Sequence, residues 1–141
     1  VSGDTSAGGL RRLDWSLDGN VRILILELGA NDLLRGQPVA EMKKNLTEMI
    51  DRARARNVKV VLAGMYAPTN TGPDYQREVR DAFQSLAREH DVIFIPFLLE
   101  QVGGIASLNQ EDGIHPNAQG TRIVADTVFK AIRPVLEKQT S

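Results

Sequence analysis

Val21-Arg22-Ile23-Leu24-Ile25-Leu26-Glu27-Leu28 runs directly into Gly29-Ala30-Asn31-Asp32. The apolar run is the length of a strand, well short of the roughly 18 residues of a membrane span, and it reads as a strand buried on both faces. Val58-Lys59-Val60-Val61-Leu62-Ala63 and Val92-Ile93-Phe94-Ile95 read the same way. Between the first two runs Val39, Met42, Leu46, Met49, Ile50 and Ala53 recur at helical spacing. Tyr75, Val79, Ala82, Phe83 and Leu86 do so between the second and third, and Ile123, Val124, Val128, Ala131, Ile132 and Val135 do so after Pro116. Strands alternating with helices predict an α/β fold with a parallel sheet and right-handed crossovers. In such sheets ligands bind at the carboxyl ends of the strands, which directs attention to the loops there.

Working outward to the amino end, Leu10, Leu13 and Leu17 lie on one face of a predicted front helix that ends at the turn Asp18-Gly19-Asn20. It starts after Gly3-Asp4-Thr5-Ser6, where Asp4, Thr5 or Ser6 is placed to cap it. The chain therefore opens in a strand-to-helix loop. Val1 follows no Met, basic n-region or apolar h-region, so the start reads as processed or trimmed, with any targeting signal upstream.

A chain of 141 residues suffices for a single domain, 1–141, with a real core. Hydrophobic residues at 42% and charged residues at 25% are ordinary for a globular protein and argue against disorder. The net charge of -1 gives no polybasic footprint for nucleic acid or an anionic membrane. A small neutral or apolar ligand fits this balance better, and no apolar run provides a stable membrane anchor. There is no cysteine, which excludes disulfides, thiolate metal sites and a cysteine nucleophile.

Two places carry chemistry. Asn31 follows the first strand, where its amide NH2 is placed to donate to a developing oxyanion; on its own, an Asn after a strand is more often a turn former or cap. Asp112-Gly113-Ile114-His115-Pro116 sets an acid and a base three residues apart in a turn ahead of the last helix. There the carboxylate can hold the imidazole in one tautomer and offset the charge it gains on taking a proton. Asp32, Asp112 and His115 are too few ligands for a convincing metal site. His90 reads as a solvent-facing helix C-cap, Arg52, Arg54, Arg56 and Lys59 as a solvated helix face, and Trp15 and the methionines as core or pocket lining. Asn45-Leu46-Thr47 spells a glycosylation sequon but sits mid-helix, so it is discounted.

In order, Ser2-Gly3-Asp4-Thr5-Ser6, Leu28-Gly29-Ala30-Asn31-Asp32 and Asp112-Gly113-Ile114-His115-Pro116 resemble the second, third and fifth blocks of the SGNH (GDSL) hydrolases. The resemblance is closest to the bacterial branch of arylesterases, acyl-CoA thioesterases and lysophospholipases. It extends to Leu33-Leu34-Arg35-Gly36 and Ile95-Pro96-Phe97-Leu98, and so over essentially the whole chain. It implies a three-layer flavodoxin-like sheet and serine-dependent hydrolysis of carboxylic esters or thioesters, with no cofactor. By motif it makes Gly3 and Asn31 the oxyanion donors, Asp112 the orienting acid and His115 the base.

The nucleophile block, Gly-Asp-Ser-Leu, has no counterpart. Gly3-Asp4-Thr5-Ser6 almost spells it, but only Val1 and Ser2 precede it, Ala7-Gly8-Gly9-Leu10 continues as block two does, and the interval to Asn31 leaves no room for another strand and helix. The expectation is an upstream segment of about 35 to 50 residues, the scale of a βαβ unit. The 141 residues would then be the C-terminal three quarters of the domain, incomplete at the N-terminal strand, inactive alone, and left with an unpaired edge at Val21 to Leu28. A bound N-terminal fragment or a strand swapped from a neighbouring chain would complete it. The alternative is a non-catalytic acyl-binding relative that has lost the serine. Met65, Tyr66, Pro68 and Leu108 are expected as pocket walls for the acyl group of a small ester or thioester, and the family implies a periplasmic or secreted location.

Overall fold

The computed structural model describes residues 3–113 and 115–140; Val1, Ser2, Ile114 and Ser141, and with them parts of the second and fifth blocks, lie outside the described residues. The chain forms two compact units, Val1–Pro96 and Phe97–Ser141. The first contains α1 (Ser6–Arg11), α2 (Leu13–Ser16), β1 (Ile23–Leu26), α3 (Ala30–Leu34), α4 (Val39–Ala55), β2 (Lys59–Ala63), α5 (Pro73–Glu89) and β3 (Ile93–Ile95). The second contains a 3-10 turn at Ala106–Leu108 and α6 (Ala118–Thr140). The expected α/β class is the one adopted: a parallel sheet in the order β1-β2-β3, flanked by helices.

Register and period together build the core of the first unit. Leu24 lies opposite Val60, and Leu62 opposite Phe94. Because side chains alternate along a strand, these residues and Leu26 share a face. They join one hydrophobic cluster with Met42, Leu46, Met49 and Ile50 of α4 and Val79, Phe83 and Leu86 of α5. The helical residues are those whose 3.6 period marked them as a stripe in the sequence.

Four expectations need correction. β1 is not buried on both faces: the period of two sends Ile25 away from Leu24 and Leu26, and at the edge of the sheet it stands 45% exposed. Central β2 does keep two-sided burial, from Val60 through Ala63. The front helix is two helices, since Arg12 at φ -107° and ψ 10° leaves helical geometry and its guanidinium turns back to Asp4 at 2.6 Å. Trp15 is 78% exposed, because two residues along a helix is about 200° of rotation and Leu13 already points inward. His90 does cap α5, its backbone N–H donating to Leu86, but its ring is tucked beside Asp51 at 3.6 Å and is not solvent-facing.

Arg52, Arg54 and Arg56 are exposed at the end of α4 as expected, while Lys59, also exposed, opens β2 and does not lie on a helix face. Arg52 pairs with Glu48 and Asp14, Arg56 with Asp14, and Lys59 with Asp91. Among the described residues no helix is long and apolar enough to cross a membrane.

Candidate active-site residues

The second unit positions Asp112 and His115 on a tied loop. Asn109 and Pro116 form an antiparallel bridge at its base. Within it Gln110 N–H donates to the His115 carbonyl at 2.8 Å, and Gly113 N–H to the Gln110 carbonyl at 2.9 Å. Asn109 is buried, and its amide donates to the carbonyls of Val102 and Ile105, both at 2.8 Å. On the far side Asn117 caps α6, its side-chain oxygen accepting from Gly120 N–H at 3.0 Å.

On this loop the Asp112 carboxylate makes two contacts with the same residue. One oxygen lies 2.7 Å from His115 Nδ1, and the other accepts the His115 backbone N–H at 3.1 Å. The acceptor at Nδ1 draws the ring hydrogen there and leaves Nε2 as the basic nitrogen. Both side chains are open to solvent, His115 by 66% and Asp112 by 44%, so Nε2 is accessible to an incoming hydroxyl.

The first unit positions Gly3 and Asn31. Gly29 starts α3 at φ 115°, a left-handed conformation that favours glycine, and a Cβ there would come within 2.8 Å of Met42 Sδ. Asn31 is thereby held in the first turn of α3, where its Nδ2 donates to the Asp4 carbonyl at 3.0 Å. Gly3, at φ 79°, adopts a turn conformation that also favours glycine. An amide NH2 carries two hydrogens, so the Asp4 bond uses only one of Asn31's donors. Asn31 and the Gly3 loop are thus brought together across the unit.

Sequence reasoning missed what holds that loop. Ser6 is fully buried; its N–H donates to one oxygen of Asp32 at 2.7 Å and its hydroxyl to the other at 2.6 Å. Asn45 Nδ2 donates to the Ser6 hydroxyl oxygen at 3.0 Å. Of the three capping candidates, Thr5 caps α1 by accepting from Gly8 N–H, Asp4 pairs with Arg12, and Ser6 serves this network. The Ser6 hydroxyl thus has no solvent access and is bonded on both sides. The sequence shows Asp32 as a turn former or cap beside Asn31, within the third block, and Asn45 as part of a sequon, with no sign that the two meet Ser6. Asp32 lies directly beside Asn31, and that adjacency was the available signal.

Of the expected pocket walls, Tyr66 borders an open cleft of about 550 Å³ with Ala67, Pro73, Gln76, Arg77 and Arg80. Met65 instead packs partly buried against the core of the first unit. Pro68 does not line the cleft; its carbonyl accepts from Thr71 Oγ1 and Gln76 Nε2. Leu108 belongs to the second unit, in the 3-10 turn, with its carbonyl accepting from Asn117 N–H. The arginines were missed, although a helix starting at Pro73 places both in its first two turns, next to the loop. Tyr75, nearby, has its phenol pushed up by burial and by the carboxylates of Glu78 and Asp32, and it donates to the Gln37 carbonyl at 3.2 Å.

Comparison with known proteins gives a consistent picture. The model of the GDSL-like Lipase/Acylhydrolase family matches residues 1–123. Esterase TesA of Pseudomonas aeruginosa is 39% identical over 137 residues, covering 96% of this chain and 68% of that protein. Thioesterase 1/protease 1/lysophospholipase L1 of Escherichia coli is 34% identical over 137 residues, covering 96% of this chain and 66% of that protein. The chain thus spans about two thirds of the length of these curated relatives. Among solved structures, that of TesA superposes with a TM-score of 0.88 at 39% identity, over 94% of this chain and 74% of that one. The psychrotrophic esterase EstA from Pseudoalteromonas sp., solved in a form inhibited by monoethylphosphonate, gives 0.88 at 34% identity, over 96% and 75%.

Proposed function

This chain belongs to the GDSL-like lipase/acylhydrolase family, and we propose that it provides the acid, the base and two oxyanion donors for serine-dependent hydrolysis of a carboxylic ester or thioester. The observation that carries the reading is the 2.7 Å contact between His115 Nδ1 and Asp112, with Nε2 left open to solvent. The names of the relatives, esterase, thioesterase and lysophospholipase, support the reaction class.

The roles follow from the chemistry of each group. His115 Nε2 takes the proton of the attacking serine and returns it to the leaving oxygen or sulfur. Asp112 holds the ring in the Nδ1–H tautomer and offsets the charge on the imidazolium. Gly3 N–H and the second hydrogen of the Asn31 amide donate to the oxyanion, and each such donor contributes about 2.7 to 4 kcal/mol. The nucleophile is assigned to a segment outside these 141 residues, because no Gly-Asp-Ser-Leu block occurs in them and Ser6, in the stretch that most nearly spells it, is enclosed by Asp32 and Asn45. That segment, an N-terminal fragment or a strand from a neighbouring chain, pairs with the outer edge of β1. The acyl group belongs at the carboxyl end of the sheet, with Tyr66, which borders the open cleft, as its proposed wall.

The test is labelling of the native protein with a fluorophosphonate, followed by intact mass and peptide mapping. A label on a serine outside these 141 residues, blocked by prior incubation with an ester substrate, is the expected result, and the 141 residues alone should turn over no ester. A label on Ser6 would overturn the nucleophile assignment. Unlabelled protein that still binds fatty acid would make the chain a non-catalytic acyl-binding relative.

A further inference from the structure

We infer that Asp32, acting through Ser6 and backed by Asn45, is a positioning group that sets the two proposed oxyanion donors; the inference rests on the ester-hydrolase reading above. The Asp32 side chain is 2% exposed and its acceptor capacity is turned onto one residue, taking both the N–H and the O–H of Ser6. Burying a carboxylate is costly unless it is hydrogen-bonded, so a pair of donors at 2.7 and 2.6 Å constrains where the chain around Ser6 can lie. Asn45 occupies the hydroxyl oxygen of Ser6 from α4, which leaves the hydroxyl hydrogen directed at Asp32.

This clamp joins the same two segments that carry the oxyanion donors. Asp32 follows Asn31 on α3, while Ser6 follows Gly3 by three residues at the head of α1. Asn31 in turn donates to the carbonyl of Asp4, between Gly3 and Ser6. Arg35, one turn further along α3, reaches the Gly3 carbonyl at 3.4 Å. The Asn31 amide is planar, so the hydrogen pointing at Asp4 determines where the other one points. A shift of the Asp4–Ser6 segment therefore moves the Gly3 N–H and re-aims the Asn31 amide together. Misplacement of catalytic groups by about 1 Å can cost on the order of 100-fold in rate.

The experiment is a double-mutant cycle in the native protein with p-nitrophenyl butyrate as substrate, circular dichroism confirming the fold of each variant. Asp32→Asn should lower kcat by about 10- to 100-fold with KM changed by less than about twofold. In an Asn31→Ala background the same substitution should cost clearly less than it does in the wild type, because one of the two donors it sets is gone and only the Gly3 N–H remains to be misplaced. Full multiplication of the two penalties would make Asp32 a general support of the fold and overturn the inference. So would an Asp32→Asn variant with unchanged kcat in an active protein. Wild-type protein inactive on esters and thioesters would instead remove the functional reading, and this inference with it. Where Asp32→Asn does not fold, Asn45→Ala takes its place in the cycle, with a smaller expected loss and the same requirement of non-additivity.

Discussion

Replacing Asp112 with Asn tests the acid and base with little disturbance of the chain. Asp112 accepts twice from His115, at 2.7 Å from the ring and 3.1 Å from the backbone. Asn has one accepting oxygen and one donating NH2, so one of the two bonds is lost and the remaining one is no longer charge-assisted. A hydrogen bond to a charged group contributes about 1.5 to 3 kcal/mol. At about 1.4 kcal/mol per tenfold, kcat should fall by about 10- to 150-fold. The corresponding loss for a buried triad aspartate is about 10⁴. Asp112 is 44% exposed, so water screens part of the imidazolium charge and the smaller figure applies. The loop should keep its shape, since the Gln110 to His115 bond, the Asn109 to Pro116 bridge and the Asn117 cap do not involve the carboxylate. Because the pair is exposed, its loss should lower stability by no more than about 1 kcal/mol. The assay is steady-state hydrolysis of p-nitrophenyl esters beside a thermal melt. A kcat within twofold of wild type, with the melt unchanged, would refute the role of Asp112 in orienting His115.

Three further outcomes are expected. Asn31→Ala should lower kcat by about 100- to 1000-fold with little change in KM, and a KM effect alone in the same steady-state assay would contradict its place in the oxyanion hole. Gly29→Ala should destabilise the protein by about 1 to 3 kcal/mol in urea titration, because φ is 115° and the new Cβ meets Met42 Sδ at 2.8 Å and Phe83 Cζ at 3.4 Å; an unchanged midpoint would show that this turn can rebuild itself. Leu46→Ala, at a fully buried position where α4 meets the sheet, should cost about 2 to 5 kcal/mol, and a loss below 1 kcal/mol would mean that the cluster collapses around the gap.

What could be read without coordinates was whatever is local in the chain. The compact apolar runs of the strands and the 3.6 period of the helices identify β1 to β3, α4, α5 and α6, because each signal is written in residues close in sequence. Asp112 and His115 were legible for the same reason: three residues apart in a turn, they meet through local geometry alone. The short α3 was not legible, as five residues leave too little period to see. The outward turn of Trp15 was legible in principle, since a position two residues beyond inward-facing Leu13 is about 200° around the helix.

Tertiary structure decided everything that depends on distant segments sharing a space. Ser6 and Asp32 are 26 positions apart, and Asn45 and Ser6 are 39. No spacing rule links them, and they pair because packing α1, α3 and α4 around one core forces their polar side chains to satisfy each other where water cannot. The same packing makes β1 an edge and β2 a centre, although their apolar runs look alike. The sequence by itself determined the elements and singled out the candidate reacting groups; the fold decided which serine is enclosed and which carboxylate and amide enclose it.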